Sequence, residues 1–481
     1  MSLDPFFQDS HIFHRSFSHK PLHVVAADGL TLTLDDGRKI LDVTGGPAVA
    51  CLGHNQPEVA KAVLDQLSKV GYLFSGGGYS ESATEELASL LLKDTPGGLS
   101  KAIFLNSGSE ATDATIKLVV QYWNTRGQPQ RRNFIARKQS YHGNTLGGLS
   151  MSGHQSRRAM YADFMTDRVS FVDPCYAYRC KLDNETDEMY VQRLKQQLDD
   201  EFQALSPDTV AAFFAETIAG STLACVPAEK GYFQAVREVC DKYGALLVLD
   251  EVMCGMGRSG TMHAWQQEGI RGPDIQTIGK SLGGGFIPLS AVLVHQQIFD
   301  SIANGSGALA GGHTFQAHPV SCAAALQVQK IIRRDNLLEN VRRMGVVLEN
   351  LLKTEIAPLP LVGNVRGRGL FWAVEFMLDK STRTPFPLGD DVSTRIKDAA
   401  LEEGVNVLSN MGFAGMHKID TAAITPPFTV TEGELVEAVQ RLKRAIVRVS
   451  KPYLAARETV CNGEKALGVV ETVVPVNEVS V

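Results

Sequence analysis

No stretch of the chain approaches the roughly 18 consecutive apolar residues needed to cross a bilayer. The opening MSLDPFFQDSHIFHRSF also lacks the charged-then-apolar order of a secretory leader. An excess of basic residues is missing too. Lys and Arg number 47 against 53 Asp and Glu, and the net charge of −6 leaves no electrostatic footprint for nucleic acid or anionic lipid. Cysteine is sparse, eight in 481 residues, with no C-x-x-C pair and no histidines beside them at zinc-ligand spacing. That excludes a disulfide framework and a structural zinc knot, and favours reduced thiols in a cytoplasmic setting. The terminal EVSV is neither a prenylation box nor a peroxisomal address, and no internal repeat or low-complexity linker interrupts the chain.

What is present is ordinary for a globular protein: 44% hydrophobic and 21% charged residues. A length of 481 residues implies one large lobe and one smaller one. Around two Asp-Gly pairs, VVAADGLTLTLDDGRKILDV alternates apolar and polar positions and predicts strands joined by turns. EVAKAVLDQLSKV and SATEELASLLLKD carry a helical period. The middle alternates short apolar strands (AIFLNS, NFIARK, VAAFFAE, ALLVLDEV, PLSAVLV) with helical stretches, which predicts a mostly parallel sheet covered on both faces. After His318-Pro319, the run from Val320 to Leu352 reads as one long amphipathic helix leaving the large lobe. A closing α+β lobe follows, with strand-like GLFWAVEF, VNVLSN and AAITPPF and a last helix from Glu432 to about Val449.

The segment LLVLDEVMCGMGRSG, residues 246–260, fits the dinucleotide pattern G-x-G-x-x-G from Gly255 to Gly260. That reading needs the first strand of a βαβ unit and an acid closing the next strand. Here the motif lies mid-chain, and Asp274 follows Gly272-Pro273 instead of ending an apolar run. The glycines read as a turn. Asp250 is different, because it ends a strand in a sheet whose ligands gather beyond the strands' carboxyl ends, although a lone Asp there is ordinarily a cap or a surface acid.

Its company gives it weight. Lys280 stands between a strand and the glycines of GKSLGGG, and apolar or cationic surroundings would lower its pKa and free the amine as nucleophile or base. Asn106-Ser107-Gly108-Ser109-Glu110 opens a helix whose free N–H groups suit a phosphate, or make a plain N-cap. Tyr141-His142-Gly143 sets an aromatic face beyond another strand.

With NSGSEA at 106–111, YHG at 141–143, LDEV at 249–252, GKSLGGG at 279–285, HTFQAHP at 313–319 and ITPPFTVTEGEL at 424–435, the chain resembles the class III pyridoxal-phosphate-dependent aminotransferases over residues 20 to 450. The resemblance implies an α/β protein of fold type I, with a mostly parallel seven-stranded sheet in the large domain and a smaller α+β domain. Expected boundaries are 1–60 for an N-terminal segment joining the small domain and 61–325 for the large domain. Residues 326–455 form the small domain, and 456–481 a flexible tail.

It also implies a role for each matching residue. Lys280 carries pyridoxal 5'-phosphate as a Schiff base and moves the proton; Asp250 pairs with the ring nitrogen. Val252 and Tyr141 press the two ring faces, with His142 beside Tyr141 as a positioning residue. Gly108 and Ser109 hold the phosphate through backbone N–H groups. Glu216 lies near the ring hydroxyl, or serves as a structural acid, since Glu216-Thr217 replaces the family's Glu-Pro. Thr314 reaches the phosphate of the neighbouring subunit in a homodimer.

The expected reaction is a ping-pong transfer from an amine or ω-amino acid donor to an oxo acid. Relatives place an arginine before the Pro-Pro pair as a carboxylate clamp. GFAGMHKIDTAAITPPF has only His417 and Lys418, which favours pyruvate over 2-oxoglutarate. Decarboxylation, racemisation or elimination on the same site stays open, as does a distant nicotinamide oxidoreductase or a cofactor-free scaffold. Arg258 and the pair Arg157-Arg158 offer either a substrate carboxylate contact or a solvated surface. His313 and His318 flank Thr314 without a third ligand, so no metal is inferred. Parts of GYLFSGGGY, 71–79, are expected to border the substrate.

Overall fold

A computed structural model describes residues 5–461 except 18–19, 94, 388 and 415–416, with side chains also excluded at 5, 410–414, 417–418 and 457–461. Seven strands make the central sheet: β1 (Leu99–Leu105), β2 (Asn133–Arg137), β3 (Val169–Val172), β4 (Val210–Glu216), β5 (Leu246–Asp250), β6 (Ile275–Ile278) and β7 (Ser290–His295). Their order is β1-β7-β6-β5-β4-β2-β3. Only β7 runs against its neighbours, β6 and β1. The expected mostly parallel sheet is therefore present, with one reversed strand.

Every residue of β4 and β5 is buried, as strands covered on both faces must be. The two-residue period sorts them. Ala212, Phe214, Leu246 and Val248 pack beneath the helix Gly108–Thr125. Phe213, Ala215, Leu247 and Leu249 face the helices Asp187–Ala204 and Tyr232–Tyr243. This alternation places the strand-end acids. Glu216 and Asp250 continue the first face and lie side by side in register. Glu251 turns to the other.

The second lobe holds the antiparallel sheet β8 (Val362–Arg368), β9 (Phe371–Phe376), β10 (Leu408–Ala414) and β11 (His417–Ile424), in the order β8-β9-β11-β10. A separate sheet joins the N-terminal strands Val24–Asp28, Thr31–Leu34 and Lys39–Asp42 to Val405–Asn406. The long helix expected from Val320 to Leu352 is two helices, Pro319–Arg334 and Leu337–Leu351. Asn336 sits between them at φ 49°, a left-handed residue that ends the first ladder, and Asn tolerates that conformation better than most side chains. The last helix outruns its expected end near Val449 and spans Glu432–Cys461, with Pro452 inside it. Tyr453 packs against the Phe386 ring and hydrogen-bonds Asp390 at 2.9 Å, which ties down the turn containing the proline. Residues 456–461 of the expected tail are thus helical, and the remainder lies outside the described residues.

Candidate active site

β5 ends at Asp250, and burial of a carboxylate is tolerated only when its lone pairs are satisfied. Asp250 Oδ1 accepts from the backbone N–H of Val252 at 3.0 Å and from the Thr277 hydroxyl, its register partner on β6, at 3.1 Å. Oδ2 faces His142 Nδ1 at 2.8 Å. His142 is itself fixed, its backbone N–H on the Ser152 hydroxyl at 2.7 Å and its carbonyl accepting from Thr112 at 2.6 Å. Its Nε2 is buried without a hydrogen-bond partner. Glu216 accepts from the backbone N–H groups of Tyr141 at 3.1 Å and Gly220 at 2.7 Å. Burial, then the neighbouring Asp250 charge, hold its carboxyl above the ordinary range, against the pull of His142.

Lys280 follows β6 and Gly279 at φ 45°, a left-handed backbone rare for a residue with a side chain. Strain of this kind costs about 1–3 kcal/mol and persists only where the surroundings impose it. Two amides close the turn onto the Lys280 carbonyl, from Gly283 at 3.2 Å and Gly284 at 2.9 Å. Burial brings the amine down to about 8, although Asp250 and Glu216 draw the other way. An amine in that range holds a neutral fraction of roughly a tenth at pH 7, far more than an ordinary lysine and enough to act as nucleophile or base.

Ser107 and Glu110 form a capping box on the helix Gly108–Thr125. The Ser107 hydroxyl takes the N–H of Glu110, and the Glu110 carboxylate takes those of Asn106 and Ser107, each at 2.8 Å. Of the orphan donors of a first turn, Gly108 and Ser109 remain to meet an anion. Glycine at 108 is required, because a Cβ there would stand 2.8 Å from Val252 Cγ1.

These groups meet in one cavity of about 150 Å³, lined by Gly108, Ser109, Tyr141, His142, Glu216, Asp250, Val252 and Lys280. An anion cradle, two apolar flanks, a fixed carboxylate and an amine suit a phosphorylated heteroaromatic aldehyde, so the donor set fits pyridoxal 5'-phosphate. Thr314 is not among them. It is exposed, its carbonyl accepting from Tyr72 at 3.0 Å. Nor does 71–79 line this cavity; Phe74 and Tyr79 stand exposed.

The surface reading fails for Arg258, while Arg157 and Arg158 are half-buried. Arg258 is wholly buried, with Nη1 donating to the carbonyls of Leu370, at 3.3 Å, and Pro426. Arg158 donates to the carbonyls of Leu149, Ser150 and Ser152, closing the short helix Leu146–Met151. Arg157 lies 4.8 Å from the Tyr141 ring centroid, backing that ring. The glycines 255–260 do form turns, with Gly257 at φ 97° and Gly260 at φ 100°. Asp274 is spent on Arg237 and on the Leu247 backbone, each at 2.7 Å.

Sequence reasoning missed Ile218, Ser221, Met253 and Cys254 in the cavity wall. It also gave Glu251 no role. Fully buried, Glu251 accepts from the Thr217 hydroxyl at 2.8 Å, the backbone N–H groups of Ala264 and Trp265 at 2.7 Å each, and Gln276 Nε2 at 2.9 Å. Burial pushes it up to about 7 despite those donors. Only the adjacency of two acids could have hinted at it, since its donors lie at 217, 264, 265 and 276. A proline at 217 would have no hydroxyl to give, so Thr217 compensates locally for departing from the Glu-Pro pattern. Glu251→Ala strands all four donors and should cost on the order of 3 kcal/mol or more. Thermal unfolding checks this: a midpoint within about 1 °C of wild type would contradict it.

The sequence pattern of the family described as aminotransferase class-III matches residues 12–446. An aminotransferase of Schizosaccharomyces pombe is 45% identical over 437 residues, 91% of this chain and 95% of that relative. Gamma aminobutyrate transaminase 3 of Solanum lycopersicum is 33% identical, covering 89% of this chain and 81% of its own length. Among solved structures, the omega transaminase of Pseudomonas jessenii in complex with PMP superposes with a TM-score of 0.87 at 31% identity, over 94% of this chain and 99% of that one.

Proposed function

This chain belongs to the class-III aminotransferases, which are pyridoxal-phosphate-dependent, and we propose that it moves an amino group from an amine or ω-amino acid to an oxo acid by a ping-pong route, with pyruvate favoured over 2-oxoglutarate. The observation that carries the reading is that Asp250 and Lys280 line one cavity, with the helix N-terminus of Gly108–Ser109 in the same wall.

The cofactor, when bound, supplies an electron sink for the pair left on the substrate carbon. The chain's residues supply the rest. Gly108 and Ser109 would hold the phosphate by their N–H groups, and Tyr141 and Val252 would confine the ring; His142 orients Asp250. Asp250 would set its carboxylate against the ring nitrogen, where a charge-assisted contact contributes about 1.5–3 kcal/mol. Lys280 would hold the cofactor through its amine, and its Nζ is placed to take and return a proton at the substrate carbon. Glu216, pinned between Tyr141 and Gly220, lies beside them for the ring hydroxyl.

Among the described residues lining the cavity there is no arginine to clamp a second carboxylate, which supports a monocarboxylic acceptor. The side chains of His417 and Lys418 lie outside the described residues. A homodimer belongs to the same reading. Thr314 and the exposed Tyr72, Phe74, Tyr79 and Phe315 suit a second copy whose cavity Thr314 completes. No described helix is long and apolar enough to cross a membrane, and the seven cysteines among the described residues, all free, support a cytoplasmic setting. The domain limits near residues 60 and 325 complete the reading, supported by the pairing of Lys39–Asp42 with Val405–Asn406 across them.

Purified holoenzyme should form alanine from pyruvate with ω-amino acids and simple amines faster than glutamate from 2-oxoglutarate, with parallel double-reciprocal plots. Faster glutamate formation from every donor would remove the acceptor preference. No transfer to either acid would remove the function.

A further inference from the structure

Ile218 and Ser221 line the cavity, and neither belongs to the central sheet. They sit on a short hairpin in which Ile218–Ala219 pairs with Val226–Pro227. Its tip carries two successive non-glycine residues in the left-handed region, Ala224 at φ 58° and Cys225 at φ 53°. L side chains avoid that backbone, and two in a row persist only if something outside the tip imposes them. Leu223, Ala224 and Cys225 are all buried.

What imposes them comes from the other lobe. Arg366 on β8 is buried, with Nε donating to the Ala224 carbonyl at 2.9 Å and Nη2 to that of Leu223. Its Nη1 meets Glu375 on β9 at 2.5 Å and Asn364 at 3.0 Å. Glu375 is fully buried and takes Arg179 Nε at 2.9 Å and the Tyr176 hydroxyl as well. The Tyr176 ring lies 5.1 Å from the Arg366 guanidinium. The planar fork of arginine can grip two carbonyls and a carboxylate at once; an ammonium cannot hold all three in that geometry. At its near end, the hairpin is held by Gly220 donating to Glu216.

We propose that Arg366 is a positioning residue for donor selectivity. Through the Leu223 and Ala224 carbonyls it fixes the hairpin tip, and thereby where Ile218 and Ser221 stand and how large an amine the cavity admits. This rests on the transaminase reading above. A residue serving stability alone would leave substrate preference untouched; one that sets a wall position changes it, since small displacements at a reacting site carry large rate effects.

The test compares wild-type and Arg366→Lys holoenzyme with pyruvate as acceptor and two donors, β-alanine as a compact ω-amino acid and 1-phenylethylamine as a bulky amine. In the variant the cofactor absorbance is retained and kcat for β-alanine stays within about threefold. Its KM rises about tenfold, and the preference for β-alanine over the bulky amine, as a ratio of kcat/KM, falls by about the same factor. An active wild type whose KM and preference survive the change overturns this inference alone. A wild type inert toward both donors overturns it together with the transaminase reading. Should Arg366→Lys not accumulate as folded holoenzyme, Glu375→Gln weakens the hold on the Arg366 guanidinium, and so its grip on the same tip, without altering a lining side chain. The same loss of preference is expected there, and unchanged selectivity in that variant overturns the inference equally.

Discussion

Lys280→Ala abolishes turnover and the visible absorbance of the attached cofactor, while the protein remains folded. The expectation follows from position. Lys280 contributes the amine that lines the cavity beside Asp250 and Glu216, and burial lowers it to about 8, where a neutral, nucleophilic fraction exists. Alanine removes the nucleophile and the proton carrier together, so the loss should reach the detection limit; covalent catalysts have no partial substitute. The fold survives because the residue's structural role is in its carbonyl, which accepts from Gly283 and Gly284 and is kept in alanine. The left-handed backbone is no harder for alanine than for lysine. Activity assays, absorbance spectra and circular dichroism on the purified variant decide it. Wild-type turnover in Lys280→Ala would falsify the assignment outright.

Asp250→Asn should keep the cofactor bound and slow proton abstraction by about 10²- to 10³-fold, the usual loss when one preorganised charge is removed from a dry site. Charge is only part of the effect. Both Asp250 oxygens are in use, one by Val252 and Thr277 and the other by His142. An asparagine retains one acceptor oxygen and must turn its NH₂ either on the Val252–Thr277 pair or on His142. Turned on His142, it forces the ring proton from Nδ1 to Nε2, which is buried without a partner. The swap therefore disturbs orientation as well as electrostatics. Single-turnover kinetics with a donor deuterated at the transferring carbon isolate the step. Wild-type rates of abstraction in the variant would take Asp250 out of the mechanism.

The alternation in VAAFFAE and ALLVLDEV shows how much of this site could be read from the chain. Within one strand the period of two turns Asp250 and Glu251 to opposite faces, but that Glu216 shares the Asp250 face follows only from the register of β4 against β5. IQTI and VSFV were harder. Four residues each, they are too short for periodicity to separate from loop, yet they are β6 and β3. The run from Val320 to Leu352 failed for a related reason, because an apolar stripe continues across a break that one left-handed Asn336 makes. Buried arginines are a different failure. Nothing local distinguishes Arg258 or Arg366 from a surface cation, since the carbonyls each one meets lie about a hundred or more positions away.

The sequence alone determined the class of architecture, the strand-end acid, the lysine in its glycine setting and the capped helix that awaits a phosphate. Those follow from side-chain period, from backbone freedom at glycine, and from the polarity of a helix end, all of them local. Only the tertiary structure decided which acid looks into the cavity with Lys280, what satisfies Glu251, and how Arg366 in one lobe grips a strained turn in the other. Hydrogen bonds between residues far apart in the chain carry no signature in its order, because their geometry exists only once the lobes are packed together.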